Sequence, residues 1–276
     1  MWCYPNKTQV SHSIPVLQNP GLENIKRTFL NSNYCQPFRH GFLTMKRGQP
    51  NYTTMSNVKL AIIYYSSTGT NYQLAKWASE SAAKAGADVR VLKVMELAPK
   101  EAIDQNPLWK KHFEATKSVP TASMDDLKWA DAIIFSTPTR YGNVAAQMKQ
   151  FMDSTGQLWV EGKLANKVVS AMSSAINPHG GQESTILALY NTMHHWGAIV
   201  VAPGYTDKVL YAAGGNPYGT SVSVDDKSGE MKEDVKAAVY HQAKRTVEIA
   251  TMLKNGSNQT KTVETTHGQV LEGYTK

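Results

Sequence analysis

The chain of 276 residues is long enough for a full α/β core, and 41% apolar with 18% charged residues is a globular composition. Cys3 and Cys35 are the only cysteines, which excludes a disulfide framework or a cysteine metal site, and no apolar run approaches a membrane span. The net charge of +7 sits mostly in residues 1–54, where six cations (Lys7, Lys26, Arg27, Arg39, Lys46, Arg47) face Glu23 alone, so the rest of the chain keeps +2 and gives little reason to expect nucleic-acid binding.

Residues 1–54 are rich in Asn, Ser, Gln and Pro and sustain no period. They are expected to be a disordered or non-native extension upstream of a domain that opens at Met55. A basic targeting peptide and a basic tail for an acidic partner are the competing readings. With so few cysteines a reducing compartment is the default, and a cytoplasmic location is expected.

From Val58 onward strands and helices alternate. Lys59–Tyr65 reads as a first strand, Tyr72–Ala85 as a helix ended by Gly86, and Asp88–Val94 as a half-exposed edge strand. Residues 96–123, with Pro99, Pro107 and Pro120, read as irregular. A short helix over Met124–Trp129, a third strand at Ala132–Phe135 and a helix over Ala145–Asp153 follow. Lys167–Met172 is a fourth strand, Gln182–His195 a helix and Ala198–Ala202 a fifth strand. A long loop then leads to a last helix over about Lys232–Leu253, with a polar tail over 255–276. Five strands alternating with helices predict a parallel sheet with helices on both faces, in a domain spanning 55–254.

Ligands in open parallel sheets sit outside the carboxyl ends of the strands, so three loops carry the chemistry. The first, Ser66-Ser67-Thr68-Gly69-Thr70-Asn71, puts hydroxyls and one glycine at the start of a helix, which suits a phosphate. No Lys follows Gly69, so this is not a nucleotide triphosphate loop. A plain helix cap is the alternative. The second, Thr137-Pro138-Thr139-Arg140-Tyr141-Gly142-Asn143, offers backbone donors, a cation and a planar ring, as a flavin would require. A simple turn with a solvated arginine competes with that reading. The third, from Ser173 through Ser174, Ala175, Ile176, Asn177, Pro178 and His179 to Gly180-Gly181, allows close backbone approach before a helix. The acid pair Asp125-Asp126 reads as the first turn of a helix, without chemistry.

These motifs, with Gln147-Met148, Gln157-Leu158-Trp159, Gly180-Gly181-Gln182-Glu183, His194-His195-Trp196-Gly197, Pro203-Gly204-Tyr205 and Gly215-Asn216-Pro217-Tyr218-Gly219, resemble the WrbA family of FMN-dependent NAD(P)H:quinone oxidoreductases, in register from about Lys59 to Leu253. The resemblance implies a flavodoxin-like fold and one non-covalent FMN. Its phosphate would lie on Ser66, Ser67, Thr68, Gly69, Thr70 and Asn71. Thr139, Arg140 and Tyr141, with Gly142 and Asn143, would border the ring. Ser174, Ala175, Ile176, Asn177 and Pro178, leading into Gly180, would close the third side. It also implies His195 near the flavin, as the candidate to stabilise charge or help protonate the quinol, and Trp159 over the substrate pocket from a neighbouring subunit of a dimer or tetramer. Thr68 stands where the family often has an aromatic residue for the nicotinamide, and Ala175–His179 replaces a more usual Thr-Gly-Thr-Gly-Gly. The expected reaction is two-electron reduction of a quinone by NADH or NADPH, in ping-pong fashion, with no metal. The rival readings are a one-electron flavodoxin carrier and a flavin-binding regulatory module.

Overall fold

Leu60, Ile62 and Tyr64 bury one side of strand β1 (Lys59–Tyr64), and Ala61 and Ile63 bury the other. A strand apolar on both faces must be covered on both faces, and it lies at the centre of a parallel sheet. This is its place in the computed structural model, which describes residues 58–257. The expected extension over 1–54 lies outside the described residues. So does the polar tail from residue 258 onward.

Around β1 the sheet runs β2 (Asp88–Lys93), β1, β3 (Ala132–Arg140), β5 (Val168–Ala175), and then a fifth place shared by two pieces. The lower piece is β6 (Ile199–Val200), level with Val168 and Val169, and the upper piece is β7 (Ser221–Ser223), level with Ser173–Ala175. All these pairings are parallel. The chain moves outward from β1 to β2 and then returns to β3 on the far side. That reversal opens a crevice at the carboxyl ends of β1 and β3.

Helices fill both faces. On one, α1 (Thr70–Lys84) and α9 (Lys236–Ser257) bring Leu74, Ala78, Val239 and Val247 against Leu60, Ile62, Ile134 and Met172. On the other, α4 (Met124–Trp129), α5 (Ala146–Asp153) and α7 (Gln182–His195) bring Leu127, Met148, Ile186 and Leu189 against Ala61, Ile63, Phe135 and Val169. At α4, Asp126 and Ser123 form a reciprocal capping box, so this acid pair is helix-starting chemistry as expected.

Four sequence expectations change. The stretch 96–123 is not irregular: it holds α2 (Lys100–Gln105) and α3 (Pro107–Ala115). Pro99 stands at the cap of α2 and Pro107 at the first position of α3, where a missing N–H costs nothing. β3 runs on to Arg140, into an antiparallel hairpin with β4 (Asn143–Val144). The fifth strand shrinks to Ile199–Val200 because the chain leaves the sheet and re-enters as β7. The last helix starts at Lys236, later than expected, since the Lys232 amide is donating to the Ser223 carbonyl, and it continues to Ser257.

The excursion between β6 and β7, which carries the short helix α8 (Val209–Ala212), returns to the sheet at fixed points. The Tyr190 hydroxyl donates to the Tyr218 carbonyl (2.7 Å), and Gln242 accepts from Thr220 N (2.7 Å) while donating to the Ala171 carbonyl (2.8 Å). Gly219 passes so close to β5 that a Cβ there would lie 2.0 Å from the Ala171 carbonyl oxygen. Gly219→Ala is therefore expected to cost about 3 kcal/mol, an overpacking penalty at its upper end. Urea denaturation of the variant beside the parent chain measures it.

Candidate active site

The first loop turns at Gly69, whose φ of +101° is costly for any side-chain-bearing residue. Ser66 Oγ accepts from Gly69 N at 3.0 Å and fixes the turn. The first helical residue, Thr70, has its Oγ1 buried with no hydrogen-bond partner among the described residues. A buried hydroxyl left unpaired costs free energy, so Thr70 Oγ1 is free to take a ligand oxygen. Asn71 is used differently. Its Nδ2 donates to Ser174 Oγ (2.8 Å) and its Oδ1 accepts from Ser136 Oγ (3.1 Å), which ties the loop to the ends of β3 and β5.

The second loop is a two-residue hairpin. Tyr141 (φ +53°) and Gly142 (φ +74°) both take the left-handed conformation, as a turn matched to strand twist demands. Arg140 and Asn143 face each other across it. Arg140 Nη2 reaches Ser67 Oγ at 3.4 Å, so the first two loops touch across the crevice. Tyr141 is entirely exposed.

The third loop is pressed onto the second. Thr185 Oγ1 donates to Thr139 Oγ1 at 2.8 Å, and a Cβ on Gly181 would lie 2.5 Å from Gly142 Cα. Gly180 is equally constrained, with Ala175 Cβ 2.5 Å from where its own would be. Ser174 and Ala175 are buried, whereas Ile176, Asn177 and Pro178 are exposed.

Between the loops lies a cleft of about 600 Å3. Of the residues expected to bind the cofactor, Ser66, Ser67, Thr68, Thr70, Asn71, Thr139, Arg140, Tyr141, Ser174, Ala175, Ile176, Asn177 and Gly180 line it. Gly69, Gly142, Asn143 and Pro178 shape the loops without lining the cleft. Sequence reasoning missed Asn106, Leu108 and Trp109 on one wall and Asp225, Asp226 and Gly229 on another. The available signal was Asn106-Pro107, a cap followed by a first-turn proline: Asn106 Oδ1 accepts from Leu108 N and Trp109 N at 3.0 and 3.1 Å.

Glu96 organises that wall. Its carboxylate accepts from Gln147 Nε2 (2.8 Å), Tyr65 Oη (3.1 Å), Trp109 Nε1 (3.2 Å) and the amides of Leu97 and Ala98. Burial, reinforced by this carboxylate, pushes the Tyr65 phenol up. Behind the first loop, His112 Nδ1 would lie 3.5 Å from a Cβ on Gly69. Burial, then the Lys93 and Lys76 ammonium groups, lower its pKa to about 4, so the ring is neutral near pH 7.

Residues 58–207 match the family model described as NADPH-dependent FMN reductase. An "NAD(P)H dehydrogenase (quinone)" of Deinococcus radiodurans is 52% identical over 196 residues, 71% of this chain and 97% of that protein. A protein of the same name from Aromatoleum aromaticum is 39% identical, covering 72% of this chain and 99% of its own length. The chain belongs to the NADPH-dependent FMN reductase family. Among solved structures, a "flavodoxin, WrbA-like protein" from Agrobacterium tumefaciens matches 71% of this chain and 99% of its own at a TM-score of 0.50 and 20% identity, which bears out the flavodoxin-like fold.

For a member of the FMN reductase family the donor set fits the cofactor. A neutral hydroxyl loop with an orphaned Thr70 Oγ1 suits the phosphate, and Gly180, where no side chain fits, keeps the third loop tight along the cleft. His195 does not reach the cleft within one chain, and Trp159, expected from a neighbouring subunit, lies beside His195. His195 ends α7, whose first residue adjoins the cleft, and 14 helical residues rise about 21 Å. Both side chains are exposed, and Trp159, on the short helix α6 (Gly156–Val160), donates from Nε1 to the His195 carbonyl at 2.8 Å. The fold therefore joins these two residues to each other and holds them away from this chain's own cleft.

His112 generates a test. The unfolded chain takes up a proton near 6.5 and the folded chain only near 4, so between those values the unfolded state binds more protons. Stability is expected to fall as pH drops through that window. His112→Gln should flatten this part of the curve, measured as thermal midpoint against pH for both proteins.

Proposed function

We propose that this chain is an FMN-dependent NAD(P)H dehydrogenase that reduces quinones. The observation that carries the reading is the 52% identity to a protein of that name over nearly its whole length, joined to a three-loop cleft whose hydroxyl loop is built for a phosphate. FMN, when bound, supplies the two-electron chemistry by which hydride from a nicotinamide becomes available to an acceptor.

The chain's own residues hold and orient. Ser66, Ser67, Thr68 and Thr70, with the turn at Gly69, take the phosphate. Ser174, Ala175, Ile176 and Asn177 form the side of the cleft reached from β5. Thr139, Arg140 and Tyr141 border the ring from the hairpin, where the guanidinium favours negative charge on the ring edge. Donor and acceptor use one open side in turn, as a ping-pong reaction requires. Thr68, a small residue, leaves that side less covered than an aromatic residue would.

Trp159 and His195 act from a second copy of the chain. Their exposure and mutual hydrogen bond make them a ready-made unit, with Val160 beside them half exposed, suited to cover a neighbour's cleft in a homodimer or homotetramer. In that position Trp159 lies over the substrate and His195 offers an imidazole to the quinol oxygen. No described helix is long and apolar enough to cross a membrane.

Anaerobic mixing of the FMN-loaded chain with NADH and NADPH separately, then with benzoquinone, should bleach and restore the flavin absorbance. Flavin that binds but is reduced by neither nucleotide would instead favour an electron carrier. His195→Ala should lower turnover more than FMN affinity, and unchanged steady-state rates with both substrates would remove His195 from the site. Specific activity should fall on dilution in step with dissociation seen by light scattering; a fully active monomer would contradict the shared site.

A further inference from the structure

Two segments close over the phosphate end of the cleft, and they stand on different footings. One is α2 with α3, whose tip is stiffened by the Asn106 cap. The other is the turn after β7. Asp225 Oδ1 accepts from Lys227 N (3.0 Å) and Ser228 N (2.8 Å), and Val224 N donates to the Ala175 carbonyl at 2.8 Å, fixing this turn to β5. The two meet where a Cβ on Gly229 would lie 3.4 Å from Leu108 Cδ1.

The turn is tied to the sheet through main-chain bonds, α3 through side chains. No residue of α3 is fully buried, and a cavity of about 260 Å3 lies beneath the helix. That cavity is lined by Tyr64, whose hydroxyl is buried with no hydrogen-bond partner among the described residues. The contacts holding the helix down are Trp109 Nε1 to Glu96 Oε2 (3.2 Å), the Lys93 ammonium to the carbonyl of Thr116 (2.6 Å), and the His112 ring against Tyr72 at 5.6 Å. Leu108, Trp109 and Phe113 are only partly buried, and an element packed in this way opens more readily than the core around it.

We propose that α2–α3 is a gate over the phosphate end of the cleft, closed by Leu108 on Gly229 and latched by Trp109 on Glu96, and that it selects a flavin ending in a monophosphate over one extended beyond it. The inference rests on the flavin reading above. In the closed state a phosphate-terminated ligand fits behind the Leu108–Gly229 contact, whereas an adenylylated one such as FAD must hold that contact apart. The fixed jaw adds an electrostatic bias. Asp225 and Asp226 line the cleft there, and backbone donors from Ser228 and Lys227 hold the Asp225 carboxyl below the usual range. A second phosphate passing these carboxylates is repelled. Arg140, a cation in the cleft lining, is already engaged with Ser67 and the Thr139 carbonyl.

The test uses the full chain, freed of flavin and titrated with FMN and with FAD while flavin fluorescence is followed. The parent chain should bind FMN more tightly than FAD by about tenfold or more, a difference of about 1.4 kcal/mol. Leu108→Ala, which opens the contact, and Trp109→Phe, which keeps the ring and loses the latch, should each speed FMN release by about tenfold and narrow the preference. Deuterium exchange over residues 100–115 should slow when FMN binds. A parent chain that is folded by circular dichroism but binds no FMN overturns the flavin reading and this proposal with it. Tight FMN binding with equal FAD affinity, or with release rates unchanged in both variants and exchange indifferent to FMN, overturns the gate and leaves the flavin reading standing.

Discussion

Asn71 sits at the hinge of the whole arrangement. It is buried, follows the left-handed turn at Gly69, and is bonded to Ser136 on β3 and Ser174 on β5. A buried amide satisfied by two different strands cannot shift without leaving polar atoms unpaired, at a cost of about 1–3 kcal/mol each. The start of α1 is thereby held at one height against the carboxyl edge of the sheet. Everything in the cleft is measured from that point: the hairpin reaches Ser67 through Arg140, and the third loop is wedged against the hairpin through Gly181. The cleft is a consequence of three loops having no other way to pack once the first is pinned.

Much of this was legible in the chain itself, for identifiable reasons. β1 and β5 are apolar runs bounded by hydroxyls and glycines, Met124–Trp129 opens on an acid pair and Gln182–His195 follows two glycines, so elements and loops could be placed together. What escaped was structure whose signals conflict. Residues 96–123 are polar and rich in proline, and only the position of Pro99 and Pro107 at helix starts turns that evidence around. The fifth strand reads as one run, yet its upper half is supplied by Ser221–Ser223, too short and too polar to show a period. Trp109 and Leu108 lay in the first of these regions and Asp225 and Gly229 just beyond the second, so the walls they build were missed together.

The positions of His195 and Trp159 mark a different limit. Their motifs are specific, and the resemblance assigns them to a flavin site, but one chain places them at the opposite end of a helix from its own cleft. A sequence motif records that residues work together without recording in which copy. Here the distance along α7 makes the distinction, and it moves His195 from the list of cleft walls to join Trp159, already expected from a neighbouring subunit, on a surface that can complete a neighbour's.

The divided fifth strand has one more effect, on how the folded chain behaves in a crowded solution. A sheet edge is a template for pairing with other chains, and long flat edges invite it. On this side the edge is broken into a two-residue piece and a three-residue piece, separated by an excursion that stands out from the sheet. On the opposite side β2 carries exposed Asp88 and Arg90, and its end is covered where Lys93 pairs with Thr121. Among the described residues one margin is broken and the other is short, charged and covered at its end, which leaves strands from other molecules little to add to.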